Sequence, residues 1–108
     1  MLLIERVAFE ELVGTDDGFG GKDWTPVERL RARAFFQFLR GGESVQAARL
    51  TGRQTIVATI RQSPPALAIK TKWQMRDIGK GITYDIRAIE PNRDKPRQYL
   101  DIVCESLS

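Results

Sequence analysis

The chain has 108 residues, 42% apolar and 29% charged, with Lys+Arg 17 against Asp+Glu 14. That length suits a single domain spanning residues 1–108, and the composition is too apolar for a wholly disordered chain. A net charge of +3 is modest for a dedicated nucleic-acid-binding domain, which concentrates base on one face.

There is no histidine and one cysteine, Cys104. This removes the commonest general base and metal ligand and any internal disulfide, so no catalytic residue, metal site or cofactor is expected. Cys104 lies in the apolar run Ile102-Val103-Cys104 and reads as a small buried hydrophobe. No apolar run is long enough to span a bilayer, and the N-terminal segment meets acids early. The expectation is a soluble protein made in a reducing compartment, without membrane association.

Charge is spread unevenly. Residues 1–23 hold two bases (Arg6, Lys22) and six acids (Glu5, Glu10, Glu11, Asp16, Asp17, Asp23), a net of −4, whereas residues 53–108 hold ten bases and six acids, a net of +4. Scattered solvated charge accounts for this in a monomer. In a head-to-tail ring, acidic and basic surfaces of neighbouring copies would face one another.

In chain order, Leu2 to Phe9 fits a strand or a short amphipathic helix, and its pattern does not decide between them. Gly14 to Gly21 holds four glycines in eight residues, which predicts a long, irregular, mobile loop at about 14–23, closed by Trp24 and Pro26. Asp16, Asp17, Gly18, Phe19 and Gly20 are its candidate contact residues. A phosphate-binding loop is excluded by the missing Lys and by the two acids, and the spacing of a calcium loop is absent.

Arg29 to Leu39 alternates as a strand, with Leu30, Ala32, Ala34, Phe36 and Phe38 on one face and Arg29, Arg31, Arg33 and Gln37 on the other. Three guanidiniums at about 6.6–7 Å spacing suit a phosphate backbone, and Phe35 suits a stacked base. Ordinary solvation, or carboxylates of a neighbouring strand or subunit, suits the same face and agrees better with the modest net charge.

Gly41-Gly42 precedes Glu43 to Leu50, which predicts a two-turn helix with Ser44 as its cap and Gly52 beyond its end. Gln54 to Gln62 is a β-branched strand with Ile56, Ala58 and Ile60 on one side, stopped by Ser63-Pro64-Pro65. A strand around Trp73 and Met75 leads to the turn Gly79-Lys80-Gly81. Ile82 to Ile89 follows, with Ile82, Tyr84, Ile86 and Ala88 in register. The polar loop Pro91 to Pro96 then joins a last strand, Arg97 to Cys104, in a hairpin that could set Asp85 against Asp101. Trp24, Trp73, Tyr84 and Tyr99 read as core or interface anchors. Many short strands and one short helix predict an all-β fold, a small antiparallel β-barrel or sandwich.

The order of these landmarks, above all "TIRQ" at Thr59–Gln62 and "GITYDIRAIEP" with "YLDIVCE" at Gly81–Pro91 and Tyr99–Glu105, resembles the phage head–tail joining family, also called head-closure or stopper proteins. The resemblance covers about residues 14–105. It implies a non-enzymatic virion subunit, from a phage, prophage or gene-transfer agent, assembled in the bacterial host cytoplasm. Such subunits form a homo-oligomeric ring, six- or twelvefold, between a portal-side adaptor and the tail terminator or tail tube, around the DNA channel. It also implies that a long loop, here Gly14–Gly21, reaches the channel or the next ring. The alternative is an OB-like nucleic-acid-binding module acting through Arg29, Arg31 and Arg33.

Overall fold

The structure, a computed structural model, describes residues 2–39 and 52–106. Six strands, β1 (Glu5–Asp16), β2 (Lys22–Phe38), β3 (Thr55–Arg61), β4 (Gln74–Asp77), β5 (Ile82–Pro91) and β6 (Tyr99–Ser106), are joined by antiparallel pairing in the order β1-β2-β3-β6-β5-β4. β4 returns to β1, which closes the sheet into a barrel and removes its edges. The expected all-β barrel is thus the architecture found. The Glu43–Leu50 helix lies outside the described residues.

Closure follows from period-two apolar patterning. Ile56, Ala58 and Ile60 on β3, and Leu100, Ile102 and Cys104 on β6, all turn inward and are buried. Val7, Phe9, Ala34, Met75, Tyr84 and Ile86 complete the filling. Tyr84 and Phe36 meet edge to face with centroids 6.3 Å apart.

Among the described residues the one helix is α1 (Pro64–Leu67). The prolines do stop β3, but they also begin this turn of helix, because proline at the first helical positions loses no hydrogen bond. Ser63 caps it, accepting from the Ala66 N–H at 3.1 Å. Ala66 and, just beyond the helix, Ile69 are buried against the core.

The Gly/Asp-rich stretch is a hairpin, not an irregular loop. β1 runs through Gly14, Thr15 and Asp16, and β2 starts at Lys22, with Gly14 opposite Trp24 and Asp16 opposite Lys22. Trp24 and Pro26 therefore sit inside a strand. Pro26 is tolerated because β2 has only β1 as a neighbour there, so the missing N–H breaks no second ladder.

Two bulges alter the expected faces. β1 and β2 slip register between Phe9 and Glu10, leaving Arg29 as the extra residue. β5 and β6 slip at Arg87, which takes Ala88 out of register with Ile86 and packs Ile89 against the core instead. The final hairpin does not oppose Asp85 to Asp101: Asp85 faces Glu105, and Asp101 faces Glu90. Asp101 accepts from the Thr59 hydroxyl at 2.8 Å and from the Asn92 amide at 2.9 Å. It thereby ties β3 to the β5–β6 connection.

Two measurements check this core. Ile102→Ala removes a fully buried side chain from β6, and chemical denaturation should show a loss of about 2–5 kcal/mol. Burial, with the Asp85 charge second, pushes the Cys104 thiol from 9.0 up to about 12. The folded state therefore favours the protonated thiol. Stability from this group should be complete below pH 9.0 and fall away as pH rises toward about 12. Cys104→Ser should flatten that part of the pH–stability curve, and native Cys104 should resist thiol reagents until the chain unfolds.

Candidate interaction surfaces: a projecting ribbon and an arginine cluster

β1 has two neighbours only where Val7 to Glu10 pair with β4, and β2 meets β3 only from Ala34 to Phe38. Between these limits the β1–β2 pair runs on alone, so residues from Glu11 to Glu28 form a two-stranded ribbon. At about 3.3 Å per residue, the six steps from Glu10 to Asp16 carry it roughly 20 Å beyond the point of closure.

A polar chain crosses the base of the ribbon. Glu10, almost fully buried, accepts from Gln74 Nε2 at 3.0 Å and from Arg76 Nε at 3.3 Å. Arg76 also reaches Glu28 at 3.6 Å, and Glu28 holds Arg31 at 2.9 Å. Glu28 keeps the Arg31 guanidinium above its ordinary pKa, first by the hydrogen bond and then by charge. β4, β1 and β2 are thereby linked where the ribbon departs.

Along the ribbon Trp24 lies across Gly14. A Cβ at Gly14 would stand 3.0 Å from Trp24 Cζ3, so glycine is what lets the indole lie down on the partner strand. The tip is braced by its own acids. Asp16 Oδ1 accepts from the Gly18 N–H at 2.9 Å, and Asp17 Oδ1 accepts from Phe19 and Gly21 at 2.7 and 3.1 Å. Gly18 and Gly20 take the left-handed φ values of 81° and 83° that the turn needs. Phe19, between them, is 95% exposed. Asp16, Asp17, Gly18, Phe19 and Gly20 thus sit together at an ordered tip.

The three arginines of β2 do not share a face. Arg29 is the bulged residue, and its Nε turns to Glu11 at 3.0 Å. Arg31 and Arg33 keep the outer face, opposite Ala8 and Arg6. Two arginines from other strands join them. Arg6 lines one cleft with Arg31 and Arg33, and Arg61 lines a second with the same two. The cluster is therefore Arg6, Arg31, Arg33 and Arg61, and among the described residues only Arg31 of the four has an ion-pair partner. Arg6 and Arg61 lie 27 and 28 positions from Arg33 along a chain of 108 residues, and only strand pairing brings them close. No local pattern marks them.

The second cleft, about 500 Å³, lies between the N-terminal residues, β2 and α1. Leu3, Leu30, Ala32 and Ala66 give it an apolar lining, with Arg31, Arg33 and Arg61 around it. Among the described residues no cluster of His, Cys, Asp and Glu is arranged to hold a metal ion.

Comparison with known proteins extends this description. The family described as phage head completion protein matches residues 2–107. The fold is similar to a chain in the virion of a native gene transfer agent particle, with a TM-score of 0.63 and 20% identity over 99% of this chain and 97% of that one. It is also similar to a protein from Shigella flexneri 2a, known from its solution structure, with a TM-score of 0.70 and 19% identity over 98% of this chain and 94% of that one. No curated protein matches the chain.

The tip geometry can be checked directly. Asp17→Ala removes the acceptor of two backbone N–H groups at an exposed turn. Amide exchange at Phe19 and Gly21 should accelerate about tenfold or more, while core amides and the melting temperature stay unchanged.

Proposed function

The chain belongs to the phage head completion protein family and is a structural protein of the phage head, and from that premise we propose that it is one subunit of a ring at the head–tail interface. In this reading copies of the barrel stand side by side below the portal and its adaptor, six or twelve to a ring. They close the DNA-filled head and offer the tail terminator a docking surface. The observation that carries the reading is the ribbon. A small barrel gains nothing in its own core from a two-stranded extension whose tip is exposed, yet that tip is held in one conformation by Asp16 and Asp17. A preorganised projection of this kind suits contact with a neighbouring protein or the channel, since little ordering remains to oppose binding.

The alternative, an OB-like nucleic-acid module, requires Arg29, Arg31 and Arg33 as a single row. The bulge takes Arg29 out of that row and pairs it with Glu11. DNA in the channel remains a non-specific neighbour in the ring reading, attracted by exposed arginines such as Arg33 and Arg61.

The test is to excise the ribbon and keep the barrel. Replacing residues 14–24 with Asn-Gly leaves Val13 and Thr25, already paired, flanking a two-residue turn. The circular dichroism spectrum and core amide protection should be those of the full chain. Heads assembled with the shortened chain as sole copy should fail to retain DNA or to accept tails under negative stain. Full, tailed particles would sink the proposal.

A further inference from the structure

We propose that the ribbon tip of one copy docks into the arginine-rimmed cleft of the next, so that a second copy of this chain is the occupant of that cleft. The inference rests on the ring reading and names its contact. The tip offers an exposed aromatic between acids. Phe19 is 95% exposed, and Asp16, Asp17 and Asp23 against Lys22 leave the tip at −2. The cleft offers the complement. Its apolar lining is Leu3, Leu30, Ala32 and Ala66, and Arg31, Arg33 and Arg61 surround it. With Arg6 opposite Arg33 and Glu28 partnering Arg31, the region carries +3.

Like charges opposed across a ladder, as Arg6 and Arg33 are, weaken the isolated fold. Carboxylates from a neighbour relieve that repulsion. A phosphate backbone would also meet the charge, but it has nothing to place against the apolar lining, whereas Phe19 does. The ordered tip brings its aromatic with little entropy left to lose, as anchor residues in protein interfaces do.

The contact is between chains. Asp23 and Arg31 are eight residues apart on one strand, so a chain's own tip stands roughly 25 Å from its own cleft. A tip-to-cleft contact therefore joins different patches of two copies. Repeated, that head-to-tail contact closes into a ring or extends into a filament.

Two charge reversals test it on the full chain. Arg33→Glu with Arg61→Glu inverts the cleft, and Asp23→Lys with the exposed Thr25→Lys inverts the tip; Asp16 and Asp17, which brace the turn, are left alone. Sedimentation velocity at millimolar chain and low salt should show association of the unmodified protein, weakened at least about tenfold in either variant alone. An equimolar mixture of the two variants should recover association, because each tip then meets a cleft of opposite sign. Unchanged melting temperatures keep the comparison on the surface.

Association that persists in the cleft variant, a mixture that fails to recover, or an unmodified chain that stays monomeric under these conditions would each overturn the contact. If the cleft variant instead associates normally but loses binding to a DNA duplex with a steep salt dependence, DNA is the occupant and the proposal is wrong. None of these results touches the ribbon-excision test in assembled heads, so the contact and the ring can fail separately.

Discussion

The barrel closes on four residue pairs between β1 and β4, Val7 to Glu10 against Asp77 to Gln74. Everything else is arranged around the shortness of that seam. Before it ends, β1 is a barrel strand with buried Val7 and Phe9; beyond it, β1 has one neighbour and must leave the barrel together with β2. Glu10 stands at the point of departure and engages Gln74 and Arg76 from the strand that closes the barrel. A carboxylate this buried is costly unless it is bonded, and it is bonded across the seam. The same side chain thus sits at the end of the closed fold and the root of the projection.

The bulge beside that seam also decides which charges act together. One extra residue at Arg29 lets β2 continue while reversing the side to which that guanidinium turns. Arg29 is spent on Glu11 inside the molecule, and Arg31 on Glu28. Arg33 is left beside Arg6 and Arg61, a cluster whose charge is not balanced among the described residues. At the far end of the ribbon the acids are separated from these arginines by the length of the strands. A chain of small net charge is in this way strongly dipolar along β2. That distribution matters more for assembly than the total does.

Where the chain is not committed to contact, its polar groups serve the fold. Asp77 is buried at the end of β4, with Oδ1 accepting from the Gly79 and Lys80 N–H groups at 3.0 and 3.2 Å, which shapes the turn into β5. Among the described residues its Oδ2 has no hydrogen-bond partner, and burial, with the Asp77 charge second, raises the Tyr84 hydroxyl pKa. Asn92 plays the corresponding part between β5 and β6, accepting from Asp94 and Lys95 while donating to Asp101. Turn formation accounts for these acids and amides.

Local periodicity by itself determined the β class and the inward faces of β3 and of the barrel part of β2, since each rests on residues two apart along one strand, a spacing the pleat imposes whatever the partner strand is. The apolar run Ile102-Val103-Cys104 marked the buried thiol, and the order of landmarks along the chain carried the family resemblance. It left the first segment undecided and read the ribbon as a loop. Glycine and aspartate signal a turn equally in a wide loop and at a hairpin tip, and only the Gly14–Trp24 pairing separates the two. Tertiary structure alone decided the bulges at Arg29 and Arg87, the pairing of Asp85 with Glu105 and the gathering of Arg6 and Arg61 around Arg33. Register and barrel closure are properties of two strands at once, set by how side chains from distant segments fill a shared core, and no single stretch of sequence carries them.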